Sequence, residues 1–168
     1  GLGDVYKRQL EHSLPLLQPE KLKDEAFVEA LREWKADLQI VVAFRMLPEV
    51  VWNMPRLGTF NLHASLLPQY RGAAPINWAV INGDTETGIT TFFLRHEIDT
   101  GEVIQQVRIP IADTDDVGIV HDKLMILGGK LVTETVDAIL NDAVKPIPQE
   151  EMAVVGELRP APKIFKDT

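Results

Sequence analysis

The stretch FNLHASLLPQYRGAAP, residues 60–75, bears most directly on the fold and the chemistry of this chain. Its first six residues predict a β-strand that ends at a loop rich in proline and glycine. Asn61 and His63 lie two positions apart, so they point to the same face of that strand. A purely structural strand prefers apolar or β-branched residues at such positions. The pair therefore marks either a candidate site or a hydrogen-bonded structural pair at the end of the strand.

Strands and helices are predicted to alternate around this stretch. The near-continuous apolar run LQIVVAF is typical of a strand that is covered on both faces. The predicted helices lie at 20–36, 75–81 and 115–141, the last capped by Thr114, and the predicted strands lie at 38–44, 60–65, 87–94 and 102–111. The last two strands are expected to form an antiparallel pair. The alternation predicts an α/β domain around a mostly parallel sheet, in which ligands bind beyond the carboxyl ends of the strands.

Composition places the chain among ordinary globular domains, with 168 residues of which 45% are hydrophobic and 25% charged. The formal net charge of −8 argues against a general nucleic-acid binder, although it leaves room for a local patch that holds an RNA. The absence of cysteine excludes disulfides and thiolate metal sites. No apolar run reaches the roughly 18–20 residues that a membrane span requires. These features favour a cytoplasmic protein with no membrane partner.

The polar groups near the end of the strand suit acyl-type transfer. An Asn amide can donate a hydrogen bond to a carbonyl oxygen that becomes an oxyanion, and a neutral His can accept a proton from an attacking amine. Asp99, in the connection between the two paired strands, is a candidate to orient His63 and keep it basic. Asp99 before Thr-Gly is also a good turn residue. The residues alone leave the catalytic and the structural interpretations open, and the spacing of the histidines matches no metal site.

The first nine residues, GLGDVYKRQ, differ from the remainder in lacking any start signal for a strand or helix. DVYKRQ resembles the translated end of a transposon that is used to prepare sequencing libraries. We therefore expect residues 1–9 to be a non-native, sequencing-derived segment and exclude them from the fold prediction.

From about Glu11 onward the sequence resembles a known family. The segments that carry the resemblance are AFRMLP at 43–48, FNLHASLLPQYRGAAPINWAVINGD at 60–84, TGIT at 87–90 and IDTGEVI at 98–104. SLLP followed two residues later by Arg-Gly is shared by the 10-formyltetrahydrofolate-dependent formyltransferases. RGAAPI with a GDxxTGIT element resembles the methionyl-tRNA formyltransferases among them. The resemblance implies a Rossmann-like catalytic domain, with helices on both faces of its sheet, followed by a smaller C-terminal β-barrel domain.

The same resemblance implies a reaction and the residues that perform it. Asn61 would stabilise an oxyanion, His63 would assist deprotonation of the amine, and Asp99 would orient His63 and manage proton transfer through water. The implied formyl donor is 10-formyltetrahydrofolate, without a metal. The implied acceptor is the α-amine of methionine on initiator tRNA, in translation initiation, and the protein would be a monomer. The residues implied to bind the folate are Arg45, Met46, Leu47, Ser65, Leu66, Leu67 and Pro68.

The resemblance covers only part of the family's length. The family's opening strand, helix and strand precede the position of Glu11, and its C-terminal domain follows the last residues of this chain. We therefore expect a partial catalytic domain at 10–144 that lacks the N-terminal βαβ portion, and a tail or linker at 145–168. We expect this fragment to be inactive by itself, because the apolar strand at 38–44 would have an unpaired edge.

Two alternatives accompany this interpretation. The first is a formyltransferase that acts on a sugar-nucleotide amine or on glycinamide ribonucleotide. RGAAPI argues against both acceptors, although INW and TETGIT would suit a sugar-nucleotide enzyme. The second alternative, from another class, is a Rossmann-like module that binds folate or nucleotide without catalysis, and the presence of Asn, His and Asp together disfavours it.

Overall fold

A four-stranded sheet organises the chain in a computed structural model that describes residues 11–42, 46–154 and 156–166. The strands β1 to β4, which lie in this order across the sheet, are Gln39–Val41, Thr59–His63, Glu86–Phe93 and Val103–Pro110. The complete helices α1 to α4 are Glu25–Glu33, Glu49–Trp52, Pro75–Ile81 and Val117–Leu140, and a 3₁₀ turn follows at Gln149–Glu151. The segment 1–9 that was predicted to be non-native lies outside the described residues.

The sheet is mixed. β1 pairs parallel to β2, with Val41 opposite Asn61. β2 pairs antiparallel to β3, with His63 opposite Thr90, and β3 pairs antiparallel to β4. The α/β class and the antiparallel β3–β4 pair are confirmed, but parallel pairing is less frequent in the described strands than expected. The additional antiparallel pair is β2–β3. The antiparallel direction of β3 and β4 follows from the short connection at 94–102, since a parallel crossover needs about a dozen residues or more.

Helix α4 covers one face of the sheet and carries much of the core. The buried apolar cluster consists of Ile76, Ile89, Val120, Leu124 and Leu131. Gly128 allows α4 to approach β2 closely, because a Cβ at that position would lie 3.0 Å from Leu62 Cδ2. Since neighbouring strand residues alternate between faces, Asn61 and His63 lie on the face opposite to α4. On that face helix α2 contacts the sheet, since the carbonyl oxygen of Trp52 accepts a hydrogen bond from the Thr59 hydroxyl at 2.6 Å. Loops and the C-terminal segment, residues 145–154 and 156–166, add to the cover.

Helix α4 begins at a different cap from the one predicted. Asp116 is the N-cap, and its carboxylate accepts a hydrogen bond from the backbone N–H of Ile119 at 2.8 Å. Thr114 lies two residues earlier. A carboxylate at this position both caps the helix and interacts favourably with its dipole, which explains why Asp116 takes the place expected for Thr114. None of the helices in the described part of the chain combines the length and the hydropathy that a membrane span requires.

The C-terminal segment follows the surface of the α/β domain closely. Ile147 forms an antiparallel bridge with Val103, and Ala161 forms a parallel bridge with Gly72. The indole Nε1 of Trp78 donates to the carbonyl oxygen of Pro162 at 2.8 Å. The segment is extended, as expected of a tail or linker, but it is hydrogen-bonded to the domain at both ends. The division into a domain at 10–144 and a linker at 145–168 stays a prediction.

Candidate active site

His63 lies at the end of β2 with both ring nitrogens close to polar groups. The residue is only 7% exposed. Its Nε2 lies 2.8 Å from the carbonyl oxygen of Tyr70, and because a carbonyl oxygen can only accept, Nε2 carries a hydrogen and donates it. Nδ1 lies 3.8 Å from Oδ2 of Asp99. A neutral ring in this orientation therefore presents its lone pair at Nδ1, on the side of the carboxylate.

Asp99 is brought to His63 by the connection between β3 and β4. Its φ of +55° lies in the left-handed region, which Asp adopts more readily than most residues. Its Oδ2 accepts a hydrogen bond from the backbone N–H of Gly72 at 2.8 Å. The distance of 3.8 Å to Nδ1 exceeds that of a direct hydrogen bond, so the carboxylate acts on the imidazole as a neighbouring negative charge.

Asn61, the third predicted catalytic residue, lines a cleft that Asp99 also lines. It lies between Val41 on β1 and Phe92 on β3 in the register of the sheet. Among the described residues, no backbone or side-chain group forms a hydrogen bond with the side-chain amide of Asn61. The hydrogen-bonded Asn–His pair that was one interpretation of the sequence is therefore not formed. Both the donor and the acceptor of the Asn61 amide are therefore available to a group that binds in the cleft.

The cleft beside Asn61 has both apolar and polar walls. It is lined by Val41, Met46, Leu47, Trp52, Asn61, Leu94, Arg95, His96, Glu97, Ile98 and Asp99. Two of the residues predicted to bind the folate, Met46 and Leu47, thus lie at the cleft, while Arg45 lies outside the described residues. His63 is not part of the lining, but its Nδ1 lies 3.8 Å from Oδ2 of Asp99, which is part of it. The structure brings the three predicted catalytic residues together, with two of them on the cleft surface.

The other four residues predicted to bind the folate lie elsewhere. Leu66, Leu67 and Pro68 line a separate cavity of about 410 Å³, which shares no lining residue with the cleft. Ser65 is completely buried, and its hydroxyl donates to a backbone carbonyl within the same loop. Thr90 explains this placement, because its hydroxyl accepts from the N–H of Leu67 at 3.3 Å and donates to the carbonyl of Ser65 at 2.7 Å. The loop is therefore held over β3, and the structure does not bring these four residues to the cleft.

Gln149 is a site residue that the sequence patterns did not indicate. Its side chain is buried, and its Nε2 donates to the carbonyl oxygens of Asp99 and Gly101, each at 2.8 Å. Its Oε1 accepts from Nε and Nη2 of Arg71 at 3.1 and 2.8 Å. A glutamine in the Pro-rich sequence PIPQEE carries no local signal of burial, because all its partners are distant in sequence.

The arrangement has the groups that transfer of an acyl unit to an amine requires. An unpaired amide can stabilise an oxyanion, a buried imidazole can take up a proton, and a nearby carboxylate can stabilise the imidazolium that results. The chemical character of the lining suits a folate-type ligand, since apolar walls with a few polar groups are typical of sites for small organic molecules.

Sequence comparison relates the chain to enzymes of one type. A family model described as formyl transferase matches residues 4–136, which include part of the segment predicted to be non-native. The chain is 91% identical over 164 residues to the methionyl-tRNA formyltransferase of Bacteroides thetaiotaomicron, covering 98% of this chain and 51% of that protein. It is 55% identical to the enzyme of the same name from Porphyromonas gingivalis, covering 97% and 50%. The chain thus spans about half the length of the curated relatives it matches.

Structure comparison relates the fold to other formyltransferases. The phosphoribosylglycinamide formyltransferase from Bacillus halodurans matches with a TM-score of 0.75 at 22% identity, covering 83% of this chain and 76% of that one. The sugar 3N-formyl transferase WlaRD matches with a TM-score of 0.69 at 21% identity, covering 88% and 50%. At these identities the similarity shows the fold alone. With the family match, it confirms the predicted Rossmann-like fold class and the resemblance stated from the sequence motifs.

Proposed function

The chain belongs to the formyl transferase family, and we propose that the complete protein transfers a formyl group from 10-formyltetrahydrofolate to the α-amine of methionine on initiator tRNA. The names of the relatives with high sequence identity support this acceptor. The observation that carries the proposal is the convergence of Asn61, His63 and Asp99 beside one cleft. Because the chain spans about half of those relatives, the activity is proposed for the complete protein.

The proposed reaction passes through a tetrahedral intermediate. The amine nitrogen attacks the formyl carbon, the new C–N bond forms, and an electron pair moves onto the formyl oxygen. Collapse of the intermediate breaks the bond between this carbon and N10, and the proton lost by the amine ends on N10 of tetrahydrofolate. The oxyanion needs a hydrogen-bond donor, and the unpaired amide of Asn61 supports that assignment.

His63 and Asp99 would handle the proton. Because Nε2 donates to the Tyr70 carbonyl, the basic nitrogen of a neutral His63 is Nδ1. An imidazolium formed by proton uptake would be stabilised by the Asp99 carboxylate, and the effect is stronger in a buried site than in water. Asp99 lines the cleft and His63 does not, so the proton would reach Nδ1 by way of the carboxylate or of a water beside it.

The folate would bind with its formyl-bearing end next to Asn61. Val41, Leu47 and Trp52 offer apolar surface on one side of the cleft, and the connection at 94–98 offers backbone polar groups on the other. Ser65, Leu66, Leu67 and Pro68 would contribute indirectly, through the shape of the loop that follows β2.

The test compares three amine acceptors with the complete protein and 10-formyltetrahydrofolate. We expect kcat/KM for initiator methionyl-tRNA to exceed that for glycinamide ribonucleotide and for an amino-sugar nucleotide by roughly 10²-fold or more. A preference for either of the other acceptors would replace the proposed acceptor with that one. Folate binding without transfer to any of the three would favour the non-catalytic module.

A further inference from the structure

We infer that Gln149, a residue of the C-terminal segment, is a positioning residue for formyl transfer that acts through Asp99. Arg71 assists it by holding the Gln149 side chain. The inference rests on the proposed function, because it assumes that the Asp99 carboxylate takes part in the reaction.

The contacts of Gln149 fix the backbone of the connection that carries Asp99. Its Nε2 donates to the carbonyl oxygens of Asp99 and Gly101, which lie on either side of Thr100. The backbone of Asp99 has a φ of +55°, in the left-handed region, which Asp adopts more readily than most residues but which is uncommon outside glycine. Two hydrogen bonds from a side chain that is 1% exposed support this conformation.

The orientation of the Gln149 amide follows from its partners. The guanidinium of Arg71 only donates, so it must face Oε1, and the two carbonyl oxygens only accept, so they must face Nε2. Glutamine satisfies both requirements with one planar group. A glutamate of the same shape would place a carboxylate oxygen against two carbonyl oxygens and so repel the segment that carries Asp99.

The same C-terminal segment also supports the group that binds the Asp99 carboxylate. Oδ2 of Asp99 accepts from the N–H of Gly72, and Gly72 is bridged to Ala161. The contact is close, because a Cβ on Gly72 would lie 2.5 Å from the carbonyl oxygen of Ala161. Asp99 is thus held at its backbone by Gln149 and at its carboxylate by Gly72. The separation of 3.8 Å from His63 depends on both.

The test measures steady-state formyl transfer by Gln149→Glu in the complete protein. A displacement of the carboxylate should lower kcat roughly 10- to 100-fold, with the KM values for folate and methionyl-tRNA little changed. Gln18→Glu, at an exposed position, is the matched control and should retain the kcat of the wild type. Thermal unfolding of each variant checks that the loss of kcat comes from folded protein.

A positioning role is separated from a general structural role by combining Gln149→Glu with Asp99→Asn. If Gln149 acts through the Asp99 carboxylate, the double variant should be about as active as Asp99→Asn alone. Multiplicative losses, or a folded Gln149→Glu variant with normal kcat, would overturn the inference.

If Gln149→Glu does not fold, Arg71→Met takes its place in the same cycle, with the same criteria. Arg71→Met frees the Gln149 side-chain amide without adding a buried charge. An inactive wild type would refute the proposed function, whereas an active wild type with unaffected variants would refute only the positioning role.

Discussion

Replacing Asn61 with alanine in the complete protein should reduce catalysis while leaving stability nearly unchanged. The Asn61 amide has no hydrogen-bond partner among the described residues, so the substitution removes no internal hydrogen bond. We therefore expect the free energy of unfolding to change by less than about 1 kcal/mol. Turnover should suffer, because the amide is the assigned donor to the oxyanion.

The size of the expected loss follows from the chemistry of that donor. Removing one hydrogen bond to a developing oxyanion costs about 2.7–4 kcal/mol in the transition state, and each 1.36 kcal/mol corresponds to a tenfold change in rate. The kcat of Asn61→Ala should therefore fall about 10²- to 10³-fold. His63→Ala should behave differently, since it also leaves the Tyr70 carbonyl without its donor and should destabilise the fold by about 1–3 kcal/mol.

The assay is single-turnover formyl transfer from 10-formyltetrahydrofolate to methionyl-tRNA, combined with urea unfolding of each variant. Asn141→Ala provides the control, because it removes the same amide at the exposed C-terminal end of α4 and should retain normal turnover. A normal rate in Asn61→Ala would refute the oxyanion role. A reduced rate accompanied by a large loss of stability would refute the claim that this amide has no structural partner.

Three further predictions concern stability. Leu124→Ala should lower the free energy of unfolding by about 2–5 kcal/mol in a urea titration, because Leu124 is completely buried; a loss below about 1 kcal/mol would contradict the assigned core. Hydrogen bonds from the N–H of Ala112 and from Lys123 lower the pKa of Asp115, so its stabilisation is present at neutral pH and is lost as the pH falls through that lowered pKa. Asp115→Asn should therefore lower the thermal midpoint at neutral pH but not in strong acid, and an equal difference at both pH values would refute this linkage. The chain by itself should aggregate, as measured by light scattering, because β1 is at the edge of the sheet among the described strands and Val42 next to it is 63% exposed; a soluble monomer that unfolds cooperatively would contradict this.

Local signals account for the parts of the structure that the sequence predicted well. α3 begins at Pro75 and ends at Ile81, as predicted, because a proline in the first turn and Asn82-Gly83 after the last turn are properties of neighbouring residues. The shared face of Asn61 and His63 follows in the same way from the alternation of a strand. The approach of Asp99 to His63 is a long-range contact, and the sequence alone offered it only as one of two interpretations.

Sequence patterns did not indicate how the loop after β2 is positioned. Ser65, Leu66, Leu67 and Pro68 follow β2 directly, and the Thr90 hydroxyl binds the backbone of this loop and holds it over β3, so their role in folate binding stays a prediction. The position of a loop depends on which distant group satisfies its N–H and C=O groups, and the loop sequence does not contain that information.

The C-terminal segment shows how far this dependence reaches. An extended Pro-rich segment has no regular hydrogen-bonding pattern of its own. Its composition therefore does not indicate whether it is a free linker or is bound along a domain. Here the backbone groups of two irregular segments are hydrogen-bonded to each other. The N–H of Tyr70 donates to the carbonyl of Arg159, and the N–H of Ala161 donates to the carbonyl of Arg71, each at 2.8 Å. The first of these segments supplies the Tyr70 carbonyl to His63. The orientation of the imidazole in FNLHAS is therefore set partly by residues almost a hundred positions later, and a motif of sixteen residues could indicate the chemistry but not the geometry that supports it.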